Sequence, residues 1–142
     1  MNKLVSKNQA CGVPGRKIQD ILYYIQEIHD YYEEENTGKG IIYAIDQEKA
    51  YDRVEHEVIH QILNQMNFGS DFKRWVKILY TDMRAKINIK GKVTEYFEIK
   101  RSVRQGCPIS MLLFVLVSEL SGRGIRLNKK IKGLRAPNIR RD

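Results

Sequence analysis

Five consecutive apolar residues, Ile41-Ile42-Tyr43-Ala44-Ile45, follow Gly40 and stop at Asp46. A short continuous run rich in β-branched side chains and bounded by glycine reads as a strand buried on both faces, which ties the fold to a sheet with layers covering it. The covering layers are legible as helices. Pro14-Gly15-Arg16 forms a turn, after which Ile18, Ile21, Leu22, Ile25 and Ile28 recur at the spacing of one helix face, accompanied by Tyr24, Tyr31 and Tyr32. A Glu33-Glu34-Glu35 run then leads into a loop over Asn36 to Gly40. Val58, Ile59, Ile62, Leu63 and Met66 mark a second helix, stopped by Asn67-Phe68-Gly69. Phe72, Trp75, Val76, Leu79, Tyr80 and Met83 mark a third, whose aromatic stripe is most simply core. From Ala85 to Lys100 the period falls to two, with Ile87 and Ile89 before Lys90-Gly91-Lys92 and Val93, Phe97 and Ile99 after it, which is a β-hairpin. A polar segment, Arg101 to Pro108, leads into an apolar helix from about Ser110 to Leu127. Helices and strands mix, so the class is α+β or α/β.

The chain has 142 residues, about the length of one domain, and its 42% hydrophobic content is enough for a core. It carries 25 Lys and Arg against 17 Asp and Glu, a formal charge of +8. That excess is concentrated. Lys100 to Asp142 holds eleven Lys and Arg against Glu119 and Asp142 alone, and the residues before it are nearly neutral. A basic tract is the electrostatic footprint of a nucleic-acid binder. A solvated surface ending in an irregular basic tail at Arg135 to Asp142 fits the same charges. The longest uninterrupted apolar run, Met111 to Val117, is seven residues, so no membrane span is expected. The N-terminus lacks the apolar stretch of a secretory signal, which points to an intracellular protein. Cys11 and Cys107 stand 96 residues apart and suggest neither a disulfide framework nor a metal cluster.

Three positions invite a chemical reading. Asp46 stands at the C-terminal end of the expected strand, where ligands gather in sheets with helical crossovers; an acid there holds a metal ion or caps a helix. Asp52, six residues on, has the same two roles, with the structural one favoured. At Gln105-Gly106, glycine permits close approach of the backbone to a ligand and glutamine can hydrogen-bond a base or sugar, although an ordinary turn into a helix uses the same residues.

Taken in order, these signals resemble one family. The sequence Ala-Ile-Asp-x-x-Lys-Ala-Tyr-Asp-x-Val-x-His (Ala44 to His56), a Gly-Lys hairpin, and Arg-x-Val-Arg-Gln-Gly-Cys-Pro-Ile-Ser (Arg101 to Ser110) are similar to the reverse transcriptase domain of LINE-type (non-LTR) retrotransposons. So are Gly12-Val13-Pro14-Gly15-Arg16 before an Ile-x-Asp helix start, Asn67-Phe68-Gly69 with Trp75-x-x-x-Leu79-Tyr80, and the ending Ile125-Arg126-x-Asn128-x-x-Ile131-x-Gly133. The resemblance covers about residues 8 to 134. It implies an α+β fold, the partial fingers (about 8–35) and palm (about 36–134) of a right-hand polymerase with an incomplete palm sheet, followed by a basic tail over 135–142.

The resemblance also implies roles. Asp46 matches a catalytic, metal-binding aspartate that helps hold two Mg²⁺ ions about 3.5 to 4 Å apart for attack of a primer 3′-oxygen on the α-phosphate of a dNTP. Tyr51 matches the aromatic residue beneath the incoming sugar. Gln105 and Gly106 match the motif against the templating base and nascent pair, and Arg104 and Arg16 would meet phosphates of the RNA template and DNA primer. One set of carboxylates is missing. The family's Tyr/Phe-x-Asp-Asp block has no counterpart, because no Asp-Asp pair occurs in the sequence, and the chain stops just where the next palm strand is expected. The Arg-Pro-Ile block is absent as well. Met111 stands where the family usually has proline, and Gly122 and Gly124 each weaken their helix by about 0.8 to 1 kcal/mol relative to alanine. The expectation is a reverse transcriptase fragment that is inactive alone and does not bind Mg²⁺ as a pair. A non-catalytic nucleic-acid-binding remnant and a degraded reading-frame product are the alternatives.

Overall fold

The computed structural model describes residues 4–34 and 40–134; most of the loop read at 36–40 and the basic tail at 135–142 lie outside these. The chain divides into two compact units, one of residues 1–47 and 118–142, the other of residues 48–117. The helices are α1 (Ile18–Glu34), α2 (His56–Gln65), α3 (Ser70–Tyr80) and α4 (Pro108–Leu127), and the strands are β1 (Arg84–Ala85), β2 (Asn88–Ile89), β3 (Lys92–Val93) and β4 (Phe97–Glu98). The class is therefore α+β.

In the first unit, Val13-Pro14-Gly15-Arg16 is a type II turn: Arg16 N–H donates to Val13 O at 3.2 Å and Gly15 has φ +79°. The loop before it buries Val5, Ala10 and Val13. Ser6 N–H donates to Glu119 Oε2 at 3.1 Å, and Arg126 donates to Glu119 Oε1. One basic residue of the C-terminal tract is thus spent on a buried carboxylate. Helix α1 follows the expected periodicity but buries no side chain, and Leu22 on its apolar face is 59% exposed.

The strand expected at Ile41 to Ile45 does not form. Gly40 to Gln47 is neither helix nor strand, and Ile41 is 87% and Ile45 72% exposed. The reason is the absence of a ladder: the described residues contain two two-stranded sheets, β1–β4 and β2–β3, and neither includes this segment. A run of strand-forming residues without neighbours has no partners for its backbone groups.

The second unit has its core in α2, α3 and the first half of α4. Helices α2 and α3 pack together, and Ile59, Ile62, Leu63, Val76, Leu113, Val115 and Leu116 are nearly inaccessible. Full burial of each large aliphatic side chain contributes roughly 1.5 to 3 kcal/mol. Helix α2 ends in a Schellman motif. Asn67 takes φ +53°, its N–H donates to Asn64 O at 3.1 Å, and Phe68 N–H donates to Leu63 O at 3.0 Å. The expected stop signal is therefore a full cap. The aromatic stripe of α3 splits: Val76 and Tyr80 are core, whereas Trp75 is 58% exposed. Trp75 follows the same period but sits beyond the face that α2 covers.

The expected hairpin is present. Lys90 and Gly91 have φ +50° and +83°, the signature of a type I′ turn, and Asn88↔Val93 and Ile89↔Lys92 pair beside it. The outer pairs are Ala85↔Phe97 and Arg84↔Glu98. Thr94 N–H donates to Ile87 O at 3.0 Å, so Lys86 faces both Glu95 and Tyr96, a one-residue bulge. Lys86 Nζ lies 5.0 Å from the Tyr96 ring centroid.

Helix α4 corrects the expectation drawn from uninterrupted runs. It is the one helix among the described residues long and apolar enough to cross a membrane by length and composition. Ser110, Ser118 and Glu119 interrupt its apolar residues, which leaves Met111 to Val117 as its longest unbroken run. Core helices of soluble proteins share that composition, and α4 buries Ser110, Leu113, Val115, Leu116 and Glu119.

Candidate functional site

The Tyr51 loop and the segment before Gln105-Gly106 are stitched together inside the second unit. Val103 N–H donates to Tyr51 O at 3.0 Å, and Ser102 N–H donates to Val54 O at 2.8 Å. Ser102 Oγ donates to Asp52 Oδ1 at 3.2 Å, and His56 Nε2 lies 3.0 Å from Ser102 O. Glu55 and Arg101 form an antiparallel bridge beside them. Asp52 thus accepts from Ser102 and does not cap α2, whose N-cap is Glu55. These bonds hold Ser102 at φ +103°, a conformation that costs a non-glycine residue roughly 1 to 3 kcal/mol. Val54 and Val103 are buried underneath. Strain held by several bonds sits two residues before the segment that the sequence singles out.

That segment is a second type II turn. Cys107 N–H donates to Arg104 O at 3.3 Å, with Gly106 at φ +80°. A Cβ added at Gly106 would meet nothing within 4 Å, so the glycine answers a backbone need and the space before it is open. Arg104, Gln105 and Gly106 are all exposed. Tyr51 is half-buried, its ring 4.7 Å from that of Phe114 with planes tilted by 35°. One side of Tyr51 is thereby fixed while part of the ring stays accessible.

Behind the turn lies a cavity of about 250 Å³ lined by Tyr80, Arg84, Arg104, Cys107 and Ile109, among others. Cys107 opens α4. The Ile109 N–H bonded to its sulfur holds the thiol below its ordinary range; the Ser110 hydroxyl and N–H and the Arg104 charge add to this, and burial opposes it. Tyr80 Oη and Ser110 Oγ stand 3.4 Å apart in the interior, and the His56 ring meets Tyr80 edge-on at 5.1 Å. Sequence reasoning gave no role to His56, Ser102 or Arg84. His56 carried one signal, its place at the end of the Asp46-to-His56 block; Ser102 and Arg84 carried none.

Asp46 and Arg16 belong to the first unit. Asp46 is exposed and outside any helix, so it caps none. No group of three or more His, Cys, Asp or Glu among the described residues is arranged to hold a metal ion. A lone exposed carboxylate does not fit a pair of Mg²⁺ ions, which need acidic ligands converging from several positions. Arg16 is redirected. Its guanidinium donates to the carbonyls of Ser6, of Gln9 at 2.6 Å and of Val5 at 3.3 Å, so it clamps the N-terminal loop instead of being held out toward a phosphate.

A helical framework carrying an Asp46-to-Tyr51 block, a bulged hairpin and a Gln-Gly turn at the head of an apolar helix follows the motif order of a template-copying polymerase. The family model "Reverse transcriptase (RNA-dependent DNA polymerase)" matches residues 1–133, and the chain belongs to that family. It is 32% identical over 118 residues to the "Transposon TX1 uncharacterized 149 kDa protein" of Xenopus laevis, covering 82% of this chain and 9% of that protein. Two further relatives carry the name "Retrovirus-related Pol polyprotein from type-1 retrotransposable element R2". The one from Nasonia vitripennis is 30% identical over 82 residues, 57% of this chain and 8% of the relative. The one from Popillia japonica is 28% identical over 76 residues, 54% of this chain and 12% of the relative. The domain is thus a retrotransposon reverse transcriptase domain of the non-LTR type, and the chain spans about a tenth of the length of these relatives.

Proposed function

We propose that this chain is a part of a template-directed nucleotidyltransferase that holds nucleic acid and nucleotide but does not polymerise alone. Residues 8–35 are read as fingers and 36–134 as palm. RNA template, DNA primer and dNTP are the partners this reading assigns. The Gln105-Gly106 turn presents an open backbone face to the templating pair, Arg104 meets a phosphate, and Tyr51 lies beneath the sugar. Asp46 is the one carboxylate this reading assigns toward Mg²⁺, and by itself it would not hold the ion pair. Arg16 acts as a positioning residue through the loop it clamps. The observation that carries the reading is the set of hydrogen bonds joining Tyr51–Val54 to Ser102–Val103, which keeps the aromatic residue and the Gln-Gly turn in one unit.

The test has two readouts. A fluorescein-labelled DNA primer annealed to RNA should bind the 142-residue chain, with Gln105→Ala and Arg104→Ala each weakening binding several-fold. The same mixture with four dNTPs and Mg²⁺ should show no extension above background. Binding unchanged in both variants would remove the nucleic-acid role from the turn. Extension that disappears in Asp46→Ala would show a working site and overturn the inactivity.

A further inference from the structure

We propose that the C-terminal half of α1 seats the chain's own basic end, residues 135–142, and so withholds its arginines from nucleic acid. Helix α1 carries five acids, Asp20, Glu27, Asp30, Glu33 and Glu34, and no Lys or Arg. Four of them crowd its C-terminal half, where the helix dipole already places negative partial charge and favours a cation. Asp30 and Glu33 have His29 as their one ion-pair partner among the described residues, at 3.5 Å and 3.6 Å, and it is charged only when protonated. Beside these acids lies a cavity of about 400 Å³, bounded by Ile28, His29, Tyr32 and Glu33 of α1, by Ile42 and by Leu134. Asp30, the i,i+3 neighbour of Glu33, stands at its rim. Ile42 is 55% and Leu134 41% exposed, so the apolar walls are uncovered.

Such a site takes an apolar side chain flanked by cations, and the chain delivers one to its edge. A Cβ built at Gly40 would stand 2.8 Å from the Leu134 side chain, so Leu134 lies directly against the Gly40 backbone and ends the described residues on the cavity wall. The eight residues that follow hold three arginines against Asp142, and Ile139, their one large apolar residue, directly precedes Arg140 and Arg141. Ala136-Pro137-Asn138-Ile139 places proline and asparagine at the second and third positions of a β-turn pattern, which would send the chain back toward Leu134. Five residues span at most about 18 Å, so Ile139 is within reach of a cavity that Leu134 itself lines. A separate cationic peptide would satisfy the same acids, but a segment tethered at the rim is present at an effective concentration on the order of millimolar. A second α1 brings five more acids and is repelled. Arg126 of the same unit is already spent on Glu119, and the arginines of the tail are spent in the same way.

Two measurements on the full chain test the seat. The heteronuclear ¹⁵N NOE of the Ile139 amide should match that of α1 at low salt, and Asp30→Asn/Glu33→Gln should drop it to the value of a free terminus. Raising salt to about 0.5 M should do the same in the unaltered chain, which keeps the test alive should the variant unfold. Primer–template binding reads the consequence. Asp30→Asn/Glu33→Gln frees the arginines and should tighten binding about 3-fold and steepen the slope of log K against log[salt] by up to about 1.8, at roughly 0.9 per phosphate contact for two arginines. Arg140→Gln/Arg141→Gln alone should change affinity little, and combined with the α1 variant it should abolish the gain, which separates release of the tail from the mere loss of negative charge on α1. An Ile139 amide as mobile at low salt as at high salt overturns the seat, as does a gain in affinity that is equal with and without the two arginines. An NOE that rises with protein concentration gives the seat to the tail of a second copy and overturns the intramolecular assignment. Absence of primer–template binding in every variant overturns the reading of the Gln-Gly turn instead, and the NOE, which needs no nucleic acid, still decides the seat.

Discussion

Helices α1 and α2 carry the same sequence pattern and meet different fates. Both place isoleucines and leucines at the spacing of one face. In α2 that face buries Ile59, Ile62 and Leu63 to 2% exposure or less, whereas α1 buries nothing over 17 residues. Periodicity therefore fixes that a segment is helical and which side is apolar, but burial depends on a second element laid against it. Helix α2 has α3. The contrast extends to strands: Ile41 to Ile45 has the composition of a central strand and no ladder, whereas the modest Arg84–Glu98 stretch pairs because its turn brings its own partner back.

The largest effect that can break this comparison is on stability. Leu63→Ala, removing a fully buried side chain, should cost about 2 to 5 kcal/mol, and Leu22→Ala on the exposed face of α1 less than about 0.5 kcal/mol, read as shifts of the urea midpoint at constant m-value. Comparable losses at the two positions would mean that the α1 face is covered in solution. Hydrogen exchange checks the same contrast: amides of Ile41 to Ile45 should exchange near the unprotected rate, and those of Ile62 and Leu63 only through unfolding of α2.

Next in size is the strained joint at Ser102. His56→Ala removes the donor to Ser102 O and the edge contact with Tyr80, and should destabilise the chain by about 1 to 3 kcal/mol in the same urea experiment. The functional part of the prediction is sharper. Loosening Ser102 should weaken primer–template binding even though His56 touches no ligand in the proposed site. A loss of stability with unchanged binding would make the joint structural only.

Local chemistry was legible where a residue answers to its own backbone. Gly15, Lys90, Gly91, Asn67 and Gly106 all sit at the positive φ values that their turns and cap require, and each stands out as punctuation in the sequence. Motif order was legible because five blocks recur in sequence with fixed residue types. Legibility stopped where an outcome depends on distant partners. The Ile41–Ile45 run could not declare that no strand would lie beside it. Trp75 could not declare which face α2 would cover, and Arg16 could not declare that the carbonyls of Val5, Ser6 and Gln9 would take its donors.

Gly15 and Gly106 offer a smaller and more local test. Both occupy the third position of a type II turn, and an added Cβ at either meets nothing within 4 Å. Replacement by alanine should therefore cost about 1 kcal/mol at each site, from backbone conformation alone. Equal costs would show that turn chemistry is indifferent to which unit holds it. An excess at Gly106 in the binding assay but not in stability would mark its open face as a ligand contact.

The smallest effect is a proton. The Cys107 thiol is held below its ordinary range first by the Ile109 N–H, then by Ser110, and least by Arg104. In a Cys11→Ser background, the iodoacetamide rate at Cys107 should rise with pH at a midpoint below that of free cysteine, because the thiolate is the nucleophile. Ser110→Ala should raise that midpoint more than Arg104→Ala does. Denaturing the chain in urea should return it to the ordinary value, since the helix N-terminus that supplies the N–H is then gone. The sign for stability follows from linkage: a depressed thiol favours the folded state at pH above the unfolded pKa, and this contribution fades as pH falls through the folded value. An Arg104→Ala shift larger than that of Ser110→Ala would place the guanidinium closer to the sulfur than the turn allows, and would reassign Arg104 from an outward phosphate contact to a partner of Cys107.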